Sequence, residues 1–314
     1  MVRIGIDLGG TNIVAGVVDE NYKILAKAEC KTNLPRPAEG IMDDMARLAK
    51  EAVQNAGLTM DDVVSVGVGC PGTCNVFTGI VEYSCNLDFN EVPLQEELAR
   101  RIGKPVFIEN DANAAALGEA VAGAAKGAKS ALCITLGTGV GGGIIIDGKI
   151  YSGFNCAGAE LGHIVIVCDG EPCGCGRNGC WEAYASATAL IRQTKAAIEQ
   201  NPDSRLAQMA KENGRVNGRT AFDAMRAGCP VGQAVVDKYV FYLAAGLTNM
   251  VNIFQPEVLC IGGGVSHEGD ALLIPVMKHI ERDRYSKHSK HQTRLCAAAL
   301  GNDAGIIGAA YLGN

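Results

Sequence analysis

The chain has 314 residues, 48% of them hydrophobic and 20% charged, with a formal net charge of -6. That length allows one large domain or two smaller ones with a sizeable buried core, and an acidic balance without a basic stripe excludes a nucleic-acid surface. No apolar run reaches the roughly 18 residues needed to span a bilayer, and the start MVRIGIDLGGTN reads as strand and turn without the features of a secretory leader, so a soluble cytoplasmic protein is expected.

Three short strands open the chain, over Val2 to Leu8, Ile13 to Val18 and Ile24 to Glu29, with turn signals between them. The first turn, Asp7-Leu8-Gly9-Gly10-Thr11-Asn12, offers backbone N–H groups and two polar side chains to a phosphate, and Asp7 offers oxygen to Mg²⁺. A plain hairpin with Gly-Gly in a primed turn is the simpler alternative. Residues 38–56 carry apolar side chains at helical spacing, Ile41, Met45, Leu48, Ala49 and Ala52. A strand over Val63 to Val68, a helix over Leu94 to Ile102 and a strand over Val106 to Glu109 follow. That last strand runs into Glu109-Asn110-Asp111-Ala112-Asn113 and an Ala-rich helix, with Asp111 at the expected N-cap. Polar groups crowding a strand's carboxyl end suit a ligand site in an open α/β sheet. A kinase acting on an alcohol needs a carboxylate to take the hydroxyl proton, and Asp111 is the candidate.

A second strand pair, Ala131 to Leu136 and Gly143 to Asp147, brackets Gly137-Thr138-Gly139-Val140-Gly141-Gly142-Gly143. This contains a literal G-x-G-x-x-G, but a strand follows it where the dinucleotide fingerprint requires a helix, so a phosphate clamp is the expectation. Glu160 and His163 stand at i, i+3 and would share a helical face, as candidate sugar ligands or as a surface Glu and a core His. Cys173, Cys175 and Cys180 lie within eight residues, and with His163 they are expected to make a closed His-Cys₃ zinc set that braces the fold, the alternative being free or paired thiols, for which the Cys-x-Cys spacing is awkward. Glu182, two residues further on, would be fixed by the same metal. Most of the thirteen cysteines sit singly in apolar stretches, such as Cys70, Cys133, Cys260 and Cys296, and read as small buried hydrophobes in a reducing compartment. Residues 181–254 read as mostly helical, with breaks at Pro202, Gly214 and Gly228-Cys229-Pro230. A strand over Val258 to Ile261 leads into Gly262-Gly263-Gly264, either a bed for adenine or ribose or a plain turn. A strand over Thr293 to Ala297 and a helix over Ala304 to Leu312 close the chain. A β-β-β-α-β-α order thus occurs twice. It predicts two α/β halves flanking a cleft, with residues 1–111 plus 300–314 in the smaller and 112–299 in the larger.

Together, these motifs resemble the ROK family of repressors and sugar kinases, and within it the glucokinase branch. Cys-x-Cys-Gly-x-x-Gly-Cys-x-Glu at 173–182, Glu-x-Gly-His at 160–163 and Glu-Asn-Asp-Ala-Asn at 109–113 carry the resemblance, which runs from Asp7 to the C-terminal helix. It implies an actin-like ATPase (ribonuclease H-like) fold and transfer of the ATP γ-phosphate to a hexose, with glucose expected ahead of N-acetylmannosamine, fructose or allose. By the same resemblance, Asp111 takes the catalytic position. Asn110, Asp111, Glu160, His163 and Glu182 take the sugar positions, so His163 serves both sugar and zinc. Asp7, Gly9, Gly10, Thr11, Asn12, Gly137, Thr138, Gly139, Gly141, Gly263 and Gly264 are the expected nucleotide contacts, with Mg²⁺ accompanying ATP. Family repressors carry a helix-turn-helix ahead of the first loop, which here starts at Asp7, so an enzyme is expected over a sugar sensor. A homodimer or homotetramer is the family expectation. Ala159 replaces a glycine common in relatives, with little effect expected, and Cys85 and Cys156 are expected to confer oxidation sensitivity.

Overall fold

A computed structural model describes residues 1–313. In chain order its elements begin β1 (Val2–Leu8), β2 (Asn12–Val18), β3 (Ile24–Lys31), α1 (Ala38–Asn55), β4 (Val63–Cys70), β5 (Thr73–Asn75), β6 (Ile80–Ser84) and β7 (Phe89–Val92). Then come α2 (Leu94–Ile102), β8 (Val106–Asn110), α3 (Asp111–Val121), β9 (Ala131–Leu136), β10 (Val140–Ile146) and β11 (Lys149–Ile150). The rest are α4 (Glu182–Ala185), α5 (Ala187–Gln200), α6 (Arg205–Glu212), α7 (Thr220–Arg226), α8 (Pro230–Phe254), β12 (Val258–Gly262), α9 (Asp270–Asp283), β13 (Arg294–Ala297) and α10 (Asp303–Ala310).

Two five-stranded sheets share one topology. The first runs β3-β2-β1-β4-β8 and the second β11-β10-β9-β12-β13, so in each the order is third, second, first, fourth, fifth. In the first sheet, β1–β2 and β2–β3 are antiparallel while β1–β4 and β4–β8 are parallel. One helix, α1, separates the third and fourth strands of the first sheet, whereas α4 to α8 occupy that place in the second. This duplicated sheet is the actin-like ATPase architecture. A third sheet, β5-β6-β7, lies outside the sequence expectation. Among the described residues no helix is long and apolar enough to cross a membrane.

By contacts the chain divides into two units. The first comprises Met1–Cys133, Gly143–Ala159 and the chain from Ala299 onward; the second comprises Ile134–Gly142 and Glu160–Ala298. The first unit therefore continues past residue 111. Its reason is packing: α3 lies against α10, and α10 lies on β1 and β4. That approach is backbone to backbone, since a Cβ at Gly67 of β4 would fall 1.8 Å from the Ala309 carbonyl oxygen. An Ala- and Gly-rich α10 is what such an approach demands. On the other face of the sheet α1 buries Ile41, Met45, Leu48, Ala49 and Ala52, the stripe its spacing announces. In the second unit α8 starts with Pro230 at its first turn, where the missing N–H costs nothing.

Candidate active site

In the first unit the β1–β2 turn is closed by the Gly9 N–H donating to the Asn12 carbonyl at 2.9 Å. The Thr32 hydroxyl donates to the Gly9 carbonyl at 2.6 Å, and Lys31 Nζ reaches Asn12 Oδ1 at 2.8 Å. Neither Gly9 nor Gly10 has a positive φ, so the turn is not the primed Gly-Gly hairpin. Among the described residues the Gly10 and Thr11 N–H groups donate to no protein acceptor, and both residues are exposed. Adjacent free N–H groups of this kind form an anion-binding concavity.

At the end of β8 the N-cap of α3 is Asn110, and Asp111 is the first helical residue, a correction of one position. The Asn110 side-chain oxygen accepts from the N–H groups of Ala112 at 2.9 Å and Asn113 at 3.2 Å, while its amide donates to the Gly72 carbonyl at 3.2 Å. Capping thus falls to Asn110, and Asp111 need not serve as the cap. Glu109 is buried and structural: it accepts from the Asn110 N–H, the Asn113 amide and the Ser152 hydroxyl. Burial raises the Asp111 carboxyl above the usual carboxylate range, an effect that N–H donation from Ala112 partly offsets. Asp7, paired across strands with Val14 and Gly69, is pushed up to about 6, first by burial and then by the Asp111 charge. Two carboxylates that resist joint ionisation invite a cation.

The Asp7 shift predicts a pH-dependent cost. The folded chain holds a proton on Asp7 more readily than the unfolded chain, whose value is the ordinary 3.8. Stability from this group is therefore fully present below 3.8 and lost as pH rises through about 6. Asp7→Asn is expected to raise stability at pH 8 by about 3 kcal/mol, and the gain should shrink to well under about 1 kcal/mol by pH 4. Thermal unfolding of both proteins at the two pH values checks this; an equal gain at both would overturn it.

In the second unit the turn between β9 and β10 is closed by the Gly137 N–H donating to the Gly139 carbonyl at 3.0 Å, and the Ala187 N–H donates to the Gly137 carbonyl at 2.9 Å. The Thr138 and Gly139 N–H groups have no protein acceptor among the described residues. A strand follows the loop, as the rejection of a dinucleotide fingerprint requires. Glu182, the first residue of α4, accepts the Val140 N–H on Oε2 at 3.0 Å. Gly263 has φ 83 and packs on Leu136, at the start of the same loop; Gly264 opens a 3₁₀ turn, Gly264–Glu268.

Glu160 is exposed and precedes a single 3₁₀ turn, Leu161–His163, where a helix had been the condition for a shared face. His163 Nδ1 lies 3.6 Å from Cys173 Sγ, leaving Nε2 on the other side of the ring. Cys175 and Cys180 have their sulfurs 3.6 Å apart, and the ligand atoms of His163, Cys173, Cys175 and Cys180 all lie within 4.8 Å of one another. The bridges Val165–Cys180 and Pro172–Asn178 hold this loop. Burial pushes the Cys173 thiol up to about 12 and raises Cys180, while N–H donation from Arg177 lowers Cys175. A cavity of about 470 Å³ between α5 and α8, lined by Tyr184, Arg192, Val235 and Lys238 among others, contains none of the expected site residues.

The expectations on cysteine need adjustment: Cys70, Cys133 and Cys260 are buried, but Cys296 is only half-buried. Cys85 is exposed and Cys156 is buried, which separates their access to oxidants. Ala159 adopts φ 66, so its methyl costs about 1 kcal/mol that glycine would not. Sequence reasoning missed Thr32, Ser152 and the Glu182–Val140 bond, since each partner is remote in the chain.

A family model described as ROK family matches residues 3–314. The chain belongs to the ROK family. Over 314 residues it is 41% identical to a glucokinase of Streptomyces coelicolor, covering 99% of this chain and 97% of that protein. It is 38% identical over 310 residues to a glucokinase of Thermotoga maritima, covering 98% and 96% respectively. Among solved structures, a ROK glucokinase of Streptomyces griseus in complex with glucose and AMPPNP superposes with a TM-score of 0.82 at 39% identity, covering 99% of each chain. Within this ROK chain the expected residues fall into two groups. Asp7, Gly9 to Asn12, Asn110 and Asp111 lie in the first unit; Gly137 to Gly141, Glu160, His163, Glu182, the three cysteines, Gly263 and Gly264 lie in the second.

Proposed function

We propose that this protein transfers the γ-phosphate of ATP to the 6-hydroxyl of D-glucose, giving glucose 6-phosphate and ADP. The observation that carries the reading is Asp111, a carboxylate of raised pKa at a strand end beside Asp7 and the free N–H groups of the 9–12 loop. The identity to glucokinases supports glucose as the acceptor. As the sugar oxygen bonds to the γ-phosphorus, its proton passes to Asp111 and the bond to ADP breaks in line. The N–H groups of Gly10, Thr11, Thr138 and Gly139 receive phosphate oxygens, with Gly141 spacing the second loop and Gly263 and Gly264 beside the nucleoside. Asn110, Glu160, His163 and Glu182 hold the sugar hydroxyls. Asn110 has one amide proton left for this after its Gly72 contact.

Asp7 would hold Mg²⁺, which supplies positive charge to the phosphates when bound; the raised pKa of Asp7 fits a site short of a cation. His163, Cys173, Cys175 and Cys180 would hold zinc. A tetrahedral zinc sets its sulfur ligands about 3.8 Å apart, close to the 3.6 Å between Cys175 and Cys180. With four protein ligands this zinc is structural. A cytoplasmic homodimer or homotetramer completes the reading.

The test is ADP release from ATP and Mg²⁺ across a panel of sugars. Turnover should be highest with glucose. A different preferred sugar would keep the chemistry and change the substrate, and no turnover with any sugar would replace the enzyme by a sugar sensor.

A further inference from the structure

We propose that Glu182 is a positioning residue that holds the glycine loop 137–142 and, through it, couples sugar occupancy to nucleotide affinity. The loop-holding half stands on geometry alone; the coupling half rests on the function proposed above.

Glu182 Oε2 accepts the Val140 N–H at 3.0 Å across 42 residues of sequence. A Cβ at Gly139 would sit 2.2 Å from the same oxygen, so the carboxylate lies directly against the loop backbone. Its mount is rigid. Trp181 is fully buried and donates its indole N–H to the Tyr242 carbonyl at 3.0 Å. The Tyr184 hydroxyl accepts the Glu171 N–H at 2.7 Å, and the Ala185 carbonyl accepts the Tyr239 hydroxyl at 2.7 Å. Three fixed points on and beside a four-residue helix hold the backbone from which the carboxylate projects. Its other oxygen lies 3.6 Å from Cys173 Sγ.

These bonds sort the loop's donors. Gly137 donates within the loop and Val140 donates to Glu182, which leaves the Thr138 and Gly139 N–H groups without a protein acceptor among the described residues and available to an anion. A sugar hydroxyl donating to Oε1 would fix the rotamer that keeps Oε2 on Val140. Nucleotide then meets a loop already ordered, and the cost of ordering falls. By linkage, nucleotide must tighten sugar by the same factor.

The experiment measures AMPPNP affinity by calorimetry, without and with saturating glucose, in wild-type, Glu182→Asp and Gly139→Ala protein. Aspartate keeps the charge but falls one methylene short of Val140, while the alanine methyl displaces the carboxylate from the loop side. Unchanged metal content and melting temperature verify that the variants are folded. Without sugar, both variants should bind AMPPNP about five- to tenfold more weakly, the scale of the net contribution of one ordinary hydrogen bond. Affinities within twofold of wild type in both would overturn the loop-holding role. Saturating glucose should tighten AMPPNP at least about fivefold in wild type and less than twofold in the variants. If wild-type protein phosphorylates glucose yet shows no such tightening, the coupling falls while the function stands. If no sugar is phosphorylated, the proposed function and the coupling fall together, and the sugar-free comparison still decides the loop.

Discussion

Replacing Asp111 by Asn is expected to lower kcat for sugar phosphorylation by about 10²- to 10⁴-fold, with the sugar KM moving far less. Asparagine has the same shape and can still hydrogen-bond a sugar hydroxyl, but it cannot accept the proton released as that hydroxyl attacks. The fold should survive because the cap of α3 belongs to Asn110, whose side chain binds the Ala112 and Asn113 N–H groups irrespective of residue 111. Burial disfavours the Asp111 charge, so the neutral amide should leave thermal stability equal or slightly raised at pH 8. The wild-type pH profile should share this origin. The base works only when ionised, so kcat/KM should fall on the acid side through a pKa above the ordinary 3.8. Asp7 feels the Asp111 charge, so that acid limb belongs to the pair and should shift in Asp7→Asn wherever residual activity allows measurement. Near-normal kcat in Asp111→Asn would remove Asp111 from the chemistry.

Where a pattern is local, the sequence specified it closely. The α2 boundaries, Leu94–Ile102, follow directly from the apolar spacing, with Gly103 in the left-handed conformation just beyond. The His-Cys₃ cluster was legible because three of its members lie within eight residues and the loop that joins them is short. The small β5-β6-β7 sheet was not, because its strands are three to five residues long and Thr73–Asn75 carries no apolar alternation. The division of the chain was hidden for a different reason. Asp111 begins α3, but α3 stays with the first unit through its contact with α10, an element from the far end of the chain. Long-range bonds were equally silent. Nothing near Glu182 signals Val140, and nothing near Glu109 signals Ser152. The turn at Gly9-Gly10 had the opposite fault: its residues suit a primed hairpin, yet Thr32, from the end of the neighbouring strand, helps hold a different turn.

The largest effect on stability should come from Cys180. It is the buried member of the cluster, and its backbone bridges Val165 while Trp181 beside it is fully buried. Cys180→Ser is expected to reduce bound zinc from about one equivalent per chain to near zero. The melting temperature should drop by an amount on the order of 10 °C, since loss of a structural metal is among the most costly single changes. Cys175→Ser should release the same zinc, because three ligands do not close a structural site, yet Cys175 is exposed and its replacement adds no buried hydroxyl. Its melting temperature should therefore sit between those of Cys180→Ser and wild type. Activity should fall in both variants, because His163 is itself a cluster member and Glu182 lies against Cys173. The sugar KM should rise more than the ATP KM if the lost bracing falls first on those two proposed sugar positions. Elemental analysis, thermal unfolding and steady-state kinetics on the same preparations separate these effects. A wild-type protein that is metal-free and fully stable would leave the cluster as three reduced thiols beside a histidine, and the bracing role would then fall to the Val165 bridge and the burial of Trp181.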